Sequence, residues 1–402
     1  MTAPLDGVQV LEVANWLAAP SAAALMCDLG ADVIKVEPPS GDVFRHFDLA
    51  SINPHDYDLN YAFELDNRGK RSIVVSLDRP GGPELVRRLA AQADVFVTNL
   101  TPPRRQRYGL DDSDIRAVNP RTIYASLTGY GSRGPDAARA GFDYSAFWAR
   151  SGIMGALAQP SSPPPLNRGG QGDHTTALNL LAAILAALLL RERTGEGQYV
   201  EVTLQASGMW TIGADLVAAA VSGKQPPRHD RTNPPNPIWN SYQTRDERWL
   251  LLVMPQPEPY WGAFCEAISE TDWTHDARYD SLAVRREHAA ELTSSIERRF
   301  AQEDLAYWSK RLDQFGLIWA PAADLPEVLA DPQVEAMGLL TTVEHPEAGP
   351  YQTLNTPFEV RGASIGPRGP APALGADTES ILAELGLSTA EVAELAANGV
   401  LG

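Results

Sequence analysis

Thiols are scarce in this sequence: of 402 residues only Cys27 and Cys265 are cysteine. Two cysteines so far apart, with no CxxC spacing and no clustered histidine, argue against a disulfide framework and a thiolate metal site. They predict a reducing, cytoplasmic setting and no bound metal. Positive charge is also short, since 33 Lys plus Arg stand against 51 Asp plus Glu for a net charge of −18. Such a field repels phosphate backbones, which argues against nucleic acid as a partner and leaves room only for a local basic pocket holding a small anion. Long hydrophobic runs are few. The longest, residues 177–190, falls short of the roughly 20 apolar residues that span a bilayer and predicts a buried core helix, not a membrane segment. The first residues carry neither a basic stretch nor an apolar one, so no signal peptide is expected.

What is present is a regular alternation. At 44% hydrophobic content the chain can bury a large core. The β-branched run 8–13 reads as a strand, 20–30 as a helix and 31–37 as a second strand, which together make a right-handed βαβ unit. Strands over 72–77, 95–98, 122–127 and 197–202 alternate with helical stretches over 80–93, 112–118, 142–154, 173–194 and 204–221. That pattern predicts an α/β fold with a parallel sheet covered on both faces. A proline-rich change of composition follows at 223–237. The expected organisation is a large domain over 1–222, a linker and smaller α+β domain over 223–325, and a return segment over 326–402.

Gly129-Tyr130-Gly131-Ser132-Arg133-Gly134 formally matches a dinucleotide fingerprint. The fingerprint should open directly into a helix and be followed about 20 residues on by a strand-end carboxylate. Here Pro135 and a polar stretch follow instead, so nicotinamide binding is not expected. A more informative stretch is Gly169-Gly170-Gln171-Gly172-Asp173-His174, which runs straight into the long apolar segment. Read locally, Asp173 is either a helix N-cap, whose side chain accepts a first-turn amide, or a carboxylate delivered by a glycine turn for chemistry.

The order of several short motifs decides between these readings. Pro4-Leu5-Asp6-Gly7-Val8, Asp28-Leu29-Gly30-Ala31-Asp32-Val33-Ile34-Lys35-Val36-Glu37, Gly141-Phe142-Asp143, Gly172-Asp173 and Arg193-Thr194-Gly195-Glu196-Gly197-Gln198, ending with Ala330-Asp331-Pro332-Gln333-Val334, resemble the class III CoA-transferases, the CaiB/BaiF group. The resemblance covers nearly the whole chain. It implies a Rossmann-like large domain completed by the C-terminal segment, a smaller inserted domain, and two chains interlocked as a homodimer. It implies no tightly bound cofactor, coenzyme A and acyl-CoA as substrates, and a carboxylic acid as the second partner. Asp173 is then the nucleophile that carries acyl and CoA groups in turn. Lys70, Arg71 and Arg107 are implied phosphate contacts, with Asn99 and Leu100 near the adenine. Asp143 either orients substrate or caps a helix.

The sequence also departs from that family. Where several members place a glutamine that holds the thioester oxyanion, this chain has Leu17, which cannot donate a hydrogen bond, so a backbone amide must do so. Pro38 stands where an arginine is often found, and Pro234-Pro235-Asn236-Pro237 occupies the neighbourhood of a glycine-rich loop. These differences argue against a formyl or oxalyl substrate and point to an apolar acyl pocket lined by Trp16, Leu17 and Trp239. Two alternatives remain. Racemisation α to a thioester is disfavoured because related racemases place a histidine where this chain has Phe142, and Phe exchanges no proton. A catalytically weak CoA-ester-binding subunit of a heteromeric transferase would not need Asp173.

Overall fold

The computed structural model describes residues 2–48, 59–160 and 162–401. The chain divides into two compact units, one made of Met1–Gly155, Leu166–Lys224 and Glu335–Gly402, the other of Ala156–Pro165 and Gln225–Val334.

The first unit is built on a six-stranded parallel sheet. Its strands are β1 (Gln9–Val13), β2 (Asp32–Glu37), β3 (Arg71–Val74), β4 (Val95–Thr98), β5 (Ile123–Thr128) and β6 (Tyr199–Thr203), in the spatial order β3-β2-β1-β4-β5-β6. This doubly wound order reverses between β1 and β4, and ligands of such sheets bind in the crevice outside the carboxyl ends of the strands at that point. Alternation along β1 sorts its side chains between faces: Val10 joins one buried cluster, Leu11 and Val13 the other. On the first face lie α1 (Ala18–Asp28) and the long α7 (Gln171–Thr194); on the second lie α3 (Gly82–Ala90) and α5 (Asp112–Val118). Ile381, Leu382 and Val400 of the C-terminal segment belong to that second cluster, so the end of the chain completes the core.

Between these elements run α2 (Tyr61–Asn67), α4 (Pro102–Tyr108), a π-helical turn over Asp143–Ala149, and α6 (Ile153–Leu157). By length and composition alone α7 could cross a bilayer. Its buried stripe of Ala177, Leu180, Leu181, Ile184 and Leu188 repeats every three or four residues and packs in the sheet's core. Each fully buried Leu or Ile there contributes about 1.5–3 kcal/mol, so α7 serves as a core helix. Beyond β6, the single expected helix divides at Ile212 into α8 (Leu204–Thr211) and α9 (Gly213–Ser222).

The second unit has its own core around Tyr242, Leu250, Phe264, Leu292 and Phe300. It holds a three-stranded antiparallel sheet of β7 (Ser241–Gln243), β8 (Trp249–Leu252) and β9 (Trp319–Pro321), accompanied by helices over Glu258–Ala267, Ala289–Phe300 and Leu305–Gln314. The return segment carries a hairpin of β10 (Leu340–His345) and β11 (Gly349–Leu354) that the sequence reading did not anticipate.

Candidate active site

The start of α7 is set by glycines. Gly170 is its N-cap residue with φ of 89°, a left-handed conformation that few side chains adopt. Asp173 is therefore the third residue of the helix rather than its cap, which corrects the local reading of the sequence. Gly172 leaves no room for a side chain, because a Cβ there would lie 2.2 Å from Asp143 Oδ1 and 2.3 Å from the Phe147 ring. Behind Gly170 sits Leu17, whose methyl would be 3.2 Å from an added Cβ. Leu17 follows the carboxyl end of β1, so Asp173 is presented on the side of the sheet where ligands of this topology bind.

Charge gathers around it. Asp143, 4% exposed at the opening of the π-helical turn, accepts the Gly170 amide on Oδ2 at 2.9 Å. Asp66, at 1% exposure on α2, accepts the Ser21 hydroxyl at 2.6 Å and faces His174 Nε2 at 3.0 Å through the same oxygen. Burial above all, and then the carboxylates of Asp143 and Asp66, push Asp173 up to about 7, with His174 opposing. A helix N-terminus favours the ionised form of a first-turn carboxylate, and here desolvation outweighs it. Burial also raises Asp143.

The apolar wall is aromatic. Trp16, at a strained φ of 69°, packs edge-on against Phe142 and Phe47 with ring centroids 5.5 and 5.8 Å away, and lies 6.2 Å from Phe44. Its amide donates to Asp42 Oδ1 at 3.1 Å, and Asp42 is in turn held by Lys35 at 2.9 Å. Trp16, Leu17, Phe142 and Asp143 thus converge with Asp173. His174, next to Asp173 in the chain, joins them, as do Phe44, Phe47 and Asp66, which no motif spacing nominates. Trp239, also considered for the wall, is in the second unit.

The residues expected to hold phosphate are arranged differently. Lys70 is 5% exposed, and its ammonium is consumed by Glu12 at 2.6 Å and by Pro20 O, Asp66 O and Asn67 Oδ1, each at 2.9 Å. A phosphate contact does not fit that arrangement, since it would strip a buried carboxylate of its partner. Arg71 opens β3 at its amino end, away from the carboxyl-end crevice, and is engaged by Asp32 at 2.6 Å and Glu384 at 2.9 Å. Asn99, just past β4, donates from Nδ2 to Asn15 O at 2.6 Å and accepts the Asn15 amide at 3.2 Å, which ties β1 to β4 across the switch point. Leu100 is 3% exposed, so its side chain belongs to the core. Arg107 is the most exposed of the basic candidates and pairs with Asp78 at 2.8 Å.

A doubly wound parallel sheet with an acidic, aromatic-walled site beyond the carboxyl end of β1 defines a Rossmann-like α/β protein, and within that class the comparisons with known proteins are specific. The model of CoA-transferase family III matches residues 5–378, and the chain belongs to that family. It is similar to the (R)-2-hydroxy-4-methylpentanoate CoA-transferase of Clostridioides difficile, 31% identical over 95% of either chain. It is also similar to the cinnamoyl-CoA:phenyllactate CoA-transferase of Clostridium sporogenes, 30% identical over 97% of this chain and 95% of that one. A CaiB/BaiF family protein from Brucella suis has a solved structure that matches with a TM-score of 0.85 and 32% identity over 96% of this chain and all of that one. The protein is an enzyme of the CoA-transferase kind, in a family whose substrates are CoA thioesters.

Proposed function

We propose that the protein moves CoA from an acyl-CoA donor to a carboxylic acid acceptor through covalent intermediates on Asp173. The carboxylate attacks the donor thioester carbonyl, forming an acyl-aspartyl anhydride and releasing CoA thiolate. The thiolate attacks the aspartyl carbonyl, which gives aspartyl-CoA thioester and frees the donor acid. The acceptor carboxylate attacks that thioester, forming a second anhydride, and the thiolate then takes the new acyl group and restores Asp173. Each step exchanges one acyl bond for another, so thioester energy is kept without a phosphate donor.

The observation that carries this reading is the carboxylate itself. A group raised to about 7 is more basic than an ordinary aspartate and is still available as an anion near neutrality. Desolvation removes water that would blunt its attack, and a dry site protects an anhydride from hydrolysis. Leu17 offers no donor for the developing oxyanion, which leaves main-chain amides of the first turn of α7, where helices lack internal partners. CoA itself is read as lying along the switch-point crevice past Asn99, with Arg107 as a phosphate partner at its rim. Trp16, Phe44, Phe47 and Phe142 favour a bulky apolar acyl group over formyl; one relative is named for cinnamoyl-CoA and phenyllactate, both of which carry a phenyl ring.

The same reading takes the chain as an interlocked homodimer. Helix α9 buries none of its residues, and Trp210, Val217 and Val221 are 84%, 64% and 84% exposed, an apolar surface that a second copy would cover. Light scattering at micromolar concentration tests this directly.

The chemical test is to incubate the protein with acyl-CoAs, trap with hydroxylamine or borohydride, and locate adducts by mass spectrometry. An adduct on Asp173 that is lost in Asp173→Ala is expected. Deuterium uptake at the α-carbon without CoA exchange would instead indicate racemisation, and tight acyl-CoA binding with neither signal a binding subunit.

A further inference from the structure

The carboxylate of Asp66 is the least solvated of the three in the site, at 1% exposure, and no lysine or arginine side chain among the described residues bonds to it. Lys70 is close by, but its ammonium meets the Asp66 main-chain oxygen and pairs with Glu12. A carboxylate taken out of water needs a counter-charge or donors. Ser21 supplies one donor from α1 at 2.6 Å, and His174 Nε2 stands 3.0 Å from the same oxygen. Because a carboxylate only accepts, Nε2 carries a proton, and a charged imidazole is what the site rewards. The other charged groups around the ring are Asp143 from the π-helical turn and Asp173 on its own helix. Both are acidic, and together with Asp66 they outweigh the burial that opposes charging the ring. The ring is not sealed in, since its side chain keeps 43% of its surface.

We propose that His174 is a positioning residue, an imidazolium anchored on Asp66, itself held by Ser21, that acts through Asp173 and offsets the acidity of the site so that a second carboxylate, the acceptor acid, can approach. When the acceptor acid arrives Asp173 carries CoA as a neutral thioester, but Asp66 and Asp143 still present two carboxylates that repel an incoming anion. A fixed cation next to Asp173 lowers that repulsion and shifts Asp173 toward its ionised form. The inference rests on Asp173 as nucleophile and goes beyond it in assigning a role to His174, Asp66 and Ser21.

The test compares wild type, His174→Gln and His174→Arg in the full chain. It follows CoA release from the donor and CoA transfer to the acceptor across pH 5.5–9, with the Asp173 adduct measured alongside. In His174→Gln the acid limb of the donor step moves up by about one pH unit, and KM for the acceptor acid rises about tenfold while KM for acyl-CoA changes less than about twofold. His174→Arg returns the limb toward its wild-type position. Should His174→Gln fail to fold, His174→Asn, which likewise removes the ring's charge and leaves Asp66 in place, moves the limb in the same direction. An unmoved acid limb, or donor and acceptor KM rising together, overturns the proposal while leaving the nucleophile in place. Absence of an Asp173 adduct in the wild type overturns both.

Discussion

Two clusters of charge in the first unit follow opposite rules. In the buried network under the β1 turn, Lys35, Lys70 and Arg45 stand against Glu12, Glu37 and Asp42: Lys35 contacts Glu12 at 2.7 Å and Asp42 at 2.9 Å, Lys70 contacts Glu12 at 2.6 Å, and Arg45 contacts Glu37 at 2.7 Å. Cations and anions match, and despite burial the two lysines hold the Glu12 carboxyl below its usual range. Around Asp173, three carboxylates face one imidazole, and burial with like charge drives Asp173 the other way. Both clusters are desolvated, so burial alone does not explain the difference. The balance of charge does: a matched network fixes the shape of the Trp16 turn, and an unmatched one makes a reactive carboxylate.

The largest effect expected from breaking this contrast is on activity. Asp173→Asn removes the anion while keeping the shape, and transfer should fall by at least about 1,000-fold in a coupled CoA-transfer assay. Stability should move the opposite way. Because the folded-state pKa of Asp173 is raised to about 7, its favourable contribution is complete below the unfolded value near 4 and is lost as pH rises through about 7. At pH 8 the ionised side chain therefore costs stability, and Asp173→Asn should be more stable by about 1–3 kcal/mol in urea melts, with the gain shrinking toward pH 5. A variant that is both inactive and less stable at pH 8 would contradict the raised pKa.

In the matched network the prediction reverses. Lys35→Met leaves Glu12 and Asp42 buried without their shared cation and should destabilise by about 3–5 kcal/mol, with activity lost only as the Trp16 turn loosens. Denaturant midpoints with unchanged m-values would check that the loss is one of stability. Next comes the pH dependence of the wild type. Donor turnover requires ionised Asp173, so kcat/KM should fall about tenfold per unit below about pH 7 and level off above it. A profile flat down to pH 5 would show that Asp173 is not raised to about 7.

Much of the scaffold was legible from the sequence, because β-branched runs and glycine stops follow from local sterics. The strands of the parallel sheet, α1 and the C-terminal stop of α7 at Gly195 fall where the pattern placed them, and the chain's end joins the large core as the family resemblance implied. The exact start of α7 did not. A good capping residue drew the boundary to Asp173, whereas the left-handed turn at Gly170 begins the helix three residues earlier. Pro102 and Pro103 concealed α4, although proline suits a first helical turn. For the site, motif order singled out Asp173, Asp143, Trp16 and Phe142, which converge. It could not separate an exposed cation from one with internal partners, so it does not show that Lys70 pairs with Glu12 and Arg71 with Asp32 and Glu384. Nor could it find Asp66, which meets His174 across 108 positions of sequence.

Arg107 sharpens the comparison from the side of smallest effect, since it belongs to neither cluster. Its side chain is 69% exposed and its guanidinium pairs with Asp78, whose side chain is 64% exposed, at 2.8 Å. An exposed pair of this kind contributes at most about 1 kcal/mol, and salt screens it further, so Arg107→Ala should leave the unfolding midpoint nearly unchanged. If it meets a CoA phosphate, its loss should raise KM for acyl-CoA by about three- to tenfold with little change in kcat, because a contact remote from the reacting carbonyl is made equally in ground and transition states. The rise should disappear at high salt and with a donor thioester that lacks the nucleotide phosphates. An unchanged KM at low salt would leave the crevice past Asn99 without a basic partner on this chain's Arg107 and would move the search for phosphate contacts to the other exposed arginines.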